Sequence, residues 1–220
     1  MKYMLLVCLL SLSLVVATMG QNLALRRGVS VQEAKTSHAA ARPEADQDDA
    51  WVIAVTAEGR LFFGAEELTA ESFWDTMKKT PHRRDAELYV KADARAPFAV
   101  VEKLLELARA GYFDHVVLLT SQAQGLAAGS IAPPMGLEVG LAPQATGAAL
   151  VQVHSGAKGA TVKVDGQDVS WAELQNVLAG KSGKAAVIKA DGQASFGDIG
   201  RAVDACAGAG VKAGVDGMEL

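Results

Sequence analysis

The stretch ELYVKADARAPFAVVEKLLELARAG, residues 87–111, decides how this chain is read, because residues 185–209 return it without a gap as AAVIKADGQASFGDIGRAVDACAGA. Val90-Lys91-Ala92-Asp93 becomes Ile188-Lys189-Ala190-Asp191, Phe98 becomes Phe196, Val101 becomes Ile199, Leu105 becomes Val203 and Ala108 becomes Cys206. An echo of that length marks an internal repeat. Within each copy the first seven residues read as a strand. In the first copy Pro97 then opens a helix at a position where its missing N–H costs nothing. Phe98, Val101, Leu104, Leu105 and Ala108 fall on one face of that helix, Glu102, Lys103 and Glu106 fall on the other, and Gly111 ends it.

Upstream, Trp51-Val-Ile-Ala-Val55 and Leu61-Phe-Phe63 are apolar runs separated by the turn signal Glu58-Gly59, which predicts a hairpin. Thr69 supplies an N-cap hydroxyl before Phe73, Trp74 and Met77 at helical spacing. Downstream, His115-Val-Val-Leu-Leu119 is one more strand. The unit is therefore β-β-α-β-α-β, an α/β fold in the form of an α+β two-layer sandwich whose helices share one face of one sheet. The second unit follows the same order. Leu150 to Val153 and Ala160 to Val164 match its opening strands, Ser170 takes the place of Thr69, and Trp171, Leu174 and Leu178 give its first helix. Its last helix turn and last strand are interrupted by Gly208, Gly210, Gly214 and Gly217, and glycine in an element interior costs about 0.5–1 kcal/mol relative to alanine. The C-terminal copy is thus expected to be the less stable one.

This gives five segments. Residues 1–20 are a signal peptide or membrane anchor, 21–49 a flexible linker, 50–120 the first domain, 121–147 a Gly/Ala/Pro linker, and 148–220 the second domain. Met4 to Met19 is almost wholly apolar and uncharged behind Lys2. Thr18 and Gly20 suit a signal-peptidase site that would leave Gln21 first. Retention as a short anchor is the alternative, at the lower length limit for a span. Lipidation at Cys8 is a third option, weakened by the short hydrophobic run before it. Net charge is −4, with both signs interspersed, so a phosphate-backbone surface is not expected and nucleic acid is excluded as a partner. Two cysteines, Cys8 and Cys206, provide no disulfide framework.

The run Tyr89-Val-Lys-Ala-Asp93, then Pro97-Phe98 and an apolar helix ending in Ala108-Arg-Ala-Gly111, resembles the periplasmic domain of the ExbD/TolR family, as does the hairpin before it. Lys91, Ala92, Asp93 and Phe98 carry the resemblance in the first copy, and Lys189, Ala190, Asp191 and Phe196 in the second. The resemblance implies a non-enzymatic envelope protein beside a proton-driven motor, either anchored in the inner membrane or soluble in the periplasm after cleavage. Its implied partners are an ExbB/TolQ-type inner-membrane protein and peptidoglycan, and it implies pairing as a homodimer or, between the two copies, as an intramolecular pseudo-dimer. The family's membrane helix carries a proton-bearing aspartate; here no acidic residue occurs before Glu33, so this chain is not expected to conduct protons itself. The rival reading is a soluble periplasmic module that binds peptidoglycan or a peptide strand.

No catalytic constellation, cofactor motif or metal-ligand spacing is found. Gly156-Ala-Lys-Gly159 reads as a hairpin turn, and His38, His82, His115 and His154 are scattered. Asp93 and Asp191 sit just before helix starts, where a carboxylate caps free N–H groups. Trp51, at the start of a strand, is the tryptophan expected to be exposed, while Trp74 and Trp171 are expected to pack helices on the sheet. Cys206 reads as a small buried hydrophobe. The basic cluster Lys78, Lys79, His82, Arg83 and Arg84 has no equivalent in the second copy.

Overall fold

A computed structural model describes residues 28–80, 86–113, 115–122, 133–141, 147–181 and 184–217. Residues 1–20, with Cys8, and the basic residues His82, Arg83 and Arg84 lie outside them. The described residues begin with two short strands, β1 (Lys35–Thr36) and β2 (Ala40–Ala41), and a 3-10 turn at Pro43–Asp46. The first unit follows as β3 (Trp51–Val55), β4 (Leu61–Phe63), β5 (Glu66–Leu68), α1 (Ala70–Lys79), β6 (Glu87–Ala92), α2 (Phe98–Ala110) and β7 (His115–Gln122). After β8 (Met135–Gly140), the second unit is β9 (Ala149–His154), β10 (Thr161–Val164), β11 (Gln167–Val169), α3 (Leu174–Ala179), β12 (Ala185–Ala190), α4 (Phe196–Gly208) and β13 (Lys212–Gly217).

Both units lie in one mixed sheet of order β11-β10-β9-β12-β13-β8-β7-β6-β3-β4-β5. Each half runs hairpin, parallel strand, parallel strand toward the middle, where β8 is antiparallel to β7 and parallel to β13. The alternation of side chains along a strand sends Leu88, Val90 and Ala92 of β6, and Ala186, Ile188 and Ala190 of β12, to the face that the helices cover. The two strands have the same burial pattern, residue for residue. All five predicted apolar positions of α2, and the matching Phe196, Ile199, Val203 and Cys206 of α4, are buried against that face.

Each unit has one strand more than the sequence reading gave it. Asp165 and Gly166, both at positive φ (51° and 81°), form a two-residue turn between Val164 and Gln167, the geometry that Asp-Gly favours. Gly64, at φ 61°, opens the matching turn before β5. The first helix of the second unit is also shorter than expected. Thr69 caps α1 through a reciprocal capping box with Ser72, whereas the Ser170 hydroxyl donates to Glu173 at 2.7 Å and the helix itself runs only from Leu174. The glycines near the C-terminus do not break the last two elements. Helix α4 runs to Gly208, and β13 pairs with β12 over six residues.

The two segments read as linkers contain ordered structure. In residues 28–49, Ala34, Thr36 and Ala45 are buried, and the 3-10 turn covers Tyr89, Val117 and Leu119 on the sheet face away from the helices. Strands of two residues show no period, so they leave no pattern to read. In residues 121–147, Leu137 and Val139 are buried while Glu138 is exposed, the alternation of a strand. Gly136 and Gly140 disguised it. Gly136 is required by space, because a Cβ there would collide with Val117 Cγ1.

Trp51 is not the exposed tryptophan. It is 3 % exposed, with its ring centroid 4.8 Å from Phe63 and 5.6 Å from Phe113, because β3 is an inner strand with neighbours on both sides. Trp74 is instead the most exposed of the three at 36 %. Trp171 donates its indole N–H to Ala160 O at 2.8 Å and carries the Arg201 guanidinium 4.6 Å above its ring.

Candidate functional site

The repeated residues do two different things. Ala92 and Ala190 are buried at the ends of β6 and β12, under the helices. Lys91 and Lys189 point to the other face, where Lys91 Nζ donates to Val29 O at 3.3 Å and Lys189 Nζ lies 3.6 Å from Asp216 Oδ2.

Asp93 and Asp191 close the turns that follow, and do not cap the helices. The cap positions belong to Pro97, which makes no side-chain cap bond, and to Ser195, whose hydroxyl accepts from Asp198 N–H. Asp93 is buried and accepts from Gln32 N–H, from Arg95 N–H and, in a two-pronged pair, from Arg95 Nε (2.8 Å) and Arg95 Nη2 (3.0 Å). The Arg95 hydrogen bonds, with those from the backbone, outweigh burial and hold this carboxyl well below the usual range. Asp191 has no arginine. Burial pushes its carboxyl up, but hydrogen bonds from Ser155 N–H and hydroxyl and from Gln193 and Ala194 N–H prevail and keep it low. The first unit has Ala57 where the second has Ser155, and the N–H of Gln32, from the segment before the first unit, takes part of its place.

Between these turns the two units join. Phe98 N–H donates to Ala194 O and Phe196 N–H to Ala96 O, both at 2.9 Å. One step on, Ala99 N–H donates to Gly192 O at 3.4 Å and Gly197 N–H to Ala94 O at 2.8 Å. Each donor and acceptor maps onto its counterpart by the same shift that relates the repeats, so the seam has local two-fold symmetry. Phe98, Phe196, Ala96 and Ala194 are completely buried there. A Cβ on Gly197 would sit 3.0 Å from Ala94 O, and one on Gly192 would sit 3.1 Å from Ala99 Cβ. The sequence reading identified the two phenylalanines but missed Ala94, Ala96, Gly192, Ala194 and Gly197. Their signal was size alone, at matching places in the repeat.

The sheet face away from the helices carries an open groove of about 860 Å³ in the first unit, lined by Val52, Ala54, Phe62 and Leu119 with Lys79 and Lys91 at its sides. Glu33, Asp46, Asp48 and Glu66 also line it, so its carboxylates outnumber its lysines. The matching face of the second unit presents Gln152, His154, Lys163 and Lys189, none of them buried. Among the described residues no three of His, Cys, Asp and Glu gather as a metal would require, and His38 and His115 lie instead beside Asp204 and Glu138. No helix among the described residues is long and apolar enough to cross a membrane.

Cys206 is buried in α4, and burial pushes its thiol up to about 12. A disulfide between two chains at this position would require α4 to open. In a Cys8→Ser background, Cys206 is expected to stay unreactive toward Ellman's reagent in the native protein and to react at once in denaturant; prompt native labelling would contradict this packing.

The family described as biopolymer transport protein ExbD/TolR matches residues 3–123, which takes in the apolar run, the segment before the first unit and the whole of that unit. No curated protein and no solved structure matches the chain. With more than half of its length matched, on residues that include Lys91, Ala92, Asp93 and Phe98, the chain belongs to the ExbD/TolR family.

Proposed function

We propose that this protein is a non-enzymatic, inner-membrane-associated accessory to proton-motive-force-driven transport or envelope maintenance, in which two ExbD/TolR-type domains of one chain form a pseudo-dimer that acts as a scaffold. Members of the family are not enzymes and generally work with ExbB/TolQ-type partners. The observation that carries the reading is the symmetric seam. Four backbone hydrogen bonds related by the repeat, made between the helix starts of two halves whose strands form one continuous sheet, do within one chain what association of two chains would otherwise do. Covalent linkage then makes pairing independent of concentration.

Two sequence facts shape the rest of the proposal. The family match begins at residue 3 and so takes in the apolar run, which supports reading Met4 to Met19 as a retained anchor. No carboxylate precedes Glu33, so the chain serves a neighbouring motor and does not carry its protons. Intact mass and cell fractionation test both points together. An uncut chain in the inner membrane that co-purifies with an ExbB/TolQ-type protein is the expected result. A chain beginning near Gln21, soluble in the periplasm and sedimenting with isolated cell wall, would replace this reading with that of a wall-binding module.

A further inference from the structure

Residues 32–41 touch both halves of the molecule in turn. Gln32 N–H donates to Asp93 Oδ2, and Ala94 N–H donates to Gln32 O. Strand β1 then pairs with the end of β7, where Ser121 N–H donates to Ala34 O and the buried Thr36 and Thr120 hydroxyls lie 2.7 Å apart. On its other side this segment meets the second half. Ala34 faces Gly200 of α4, where a Cβ would come within 3.1 Å of Ala34 Cβ.

At Ser37 and His38 the chain crosses α4 and is held by a single carboxylate. Asp204 accepts Ser37 N–H on both oxygens at 3.1 Å and His38 N–H at 2.8 Å, and His38 Nδ1 lies 3.3 Å from Asp204 Oδ2. The His38 ring and the end of the Gln175 side chain both sit over Gly208, where a Cβ would lie 2.7 Å from His38 Cε1 and 2.7 Å from Gln175 Cδ. The segment ends as β2, paired with Met135 and Gly136 of the central strand β8.

We propose that residues 32–41 are a releasable clasp across the two halves, latched on Asp204, through which a pull on the N-terminal segment reaches both halves at once. Its strands are two residues long, and the hydrogen bonds that tie Ser37 and His38 to α4 all end on one partly exposed carboxylate, beside the packing of Ala34 on Gly200 and of His38 on Gly208. Such a segment opens at a far lower cost than the sheet beneath it. When Asp204 lets go, the strap comes away from α4 while the seam of Phe98 and Phe196, which uses none of these residues, stays closed. The clasp goes beyond the scaffold role proposed above and does not depend on whether residues 4–19 remain in a membrane.

Hydrogen exchange on the full chain tests this with two variants that act from different sides. Asp204→Asn weakens the acceptor, and Gly208→Ala fills the seat that the His38 ring shares with the flexible end of Gln175. In both, the amides of residues 34–41 and Ser121 are expected to exchange at least about tenfold faster, as loss of hydrogen bonds to a charged group implies, while those of β9 and β12 keep wild-type protection. Wild-type exchange of the strap in either variant overturns the clasp. So does acceleration spread evenly through α4, β12 and β13, which would make Asp204 a general stabiliser of the second half.

Discussion

Replacing Phe196 with alanine is expected to destabilise the whole chain by about 3–5 kcal/mol, the range for removing a fully buried aromatic ring, and Phe98→Ala is expected to do the same. Both side chains are completely buried at the first positions of α4 and α2. They also stand at the seam, so the cavity left in either unit borders the other. Each residue's N–H crosses to the opposite unit, and that bond survives the substitution because the backbone makes it. What is lost is the packing beneath it. Because β7, β8 and β13 join the two halves into one sheet, the expected result is one cooperative transition, moved to lower urea by either substitution to a similar degree. Urea unfolding followed by far-ultraviolet circular dichroism and by tryptophan fluorescence would show it. Two separate transitions, with only the mutated half displaced, would mean that the halves fold independently, and the pseudo-dimer would fail with that result.

The sequence was most informative where one element is long enough to show a period. Strands β6 and β12 and helices α2 and α4 are legible because Val90 to Ala108 and Ile188 to Cys206 alternate or recur over more than a dozen residues, and because each confirms the other. Legibility fell where an element is short or built from small residues. Strands β5 and β11 have three residues each and follow tight turns, so only the Asp165-Gly166 pair announced one of them. Strand β8 alternates Leu137 and Val139 with Gly136, Glu138 and Gly140; its glycines resemble those of a loop, although Gly136 is there because Val117 leaves no room for a Cβ. The N-terminal strap could not be read at all. Its order comes from contacts with residues such as Asp93, Thr120 and Asp204, far away in sequence. Asp93 and Asp191 were legible as equivalent positions but not in their role, since the carboxylates hold the turns before the helices and their partners differ between copies.

That difference in partners sets the response to acid. Asp93→Asn is expected to lower stability by about 1.5–3 kcal/mol near neutral pH, the worth of hydrogen bonds made to a charged group. The buried amide can accept on one atom only, where the carboxylate accepts on two, from Gln32 N–H and from both the backbone and the guanidinium of Arg95. Arg95 itself is 69 % exposed on its side-chain atoms, so it turns to water without further penalty. The sign of the pH dependence follows from the lowered carboxyl. In the unfolded chain Asp93 binds its proton near pH 3.9, and in the folded chain only at much lower pH. Its stabilisation is therefore complete above that unfolded value and is lost as pH falls from there toward the folded value. The gap in urea midpoint between wild type and Asp93→Asn should be constant from pH 7 to about 5 and narrow by pH 3. Asp191→Asn should show the same window with a smaller gap, because burial opposes ionisation there and no arginine assists it. A gap for Asp93→Asn that persists unchanged at pH 3 would show that the amide disturbs packing and that the charge on Asp93 contributes nothing. A larger gap for Asp191→Asn than for Asp93→Asn would mean that the Arg95 pair, for all its geometry, adds less than the Ser155 hydroxyl and N–H.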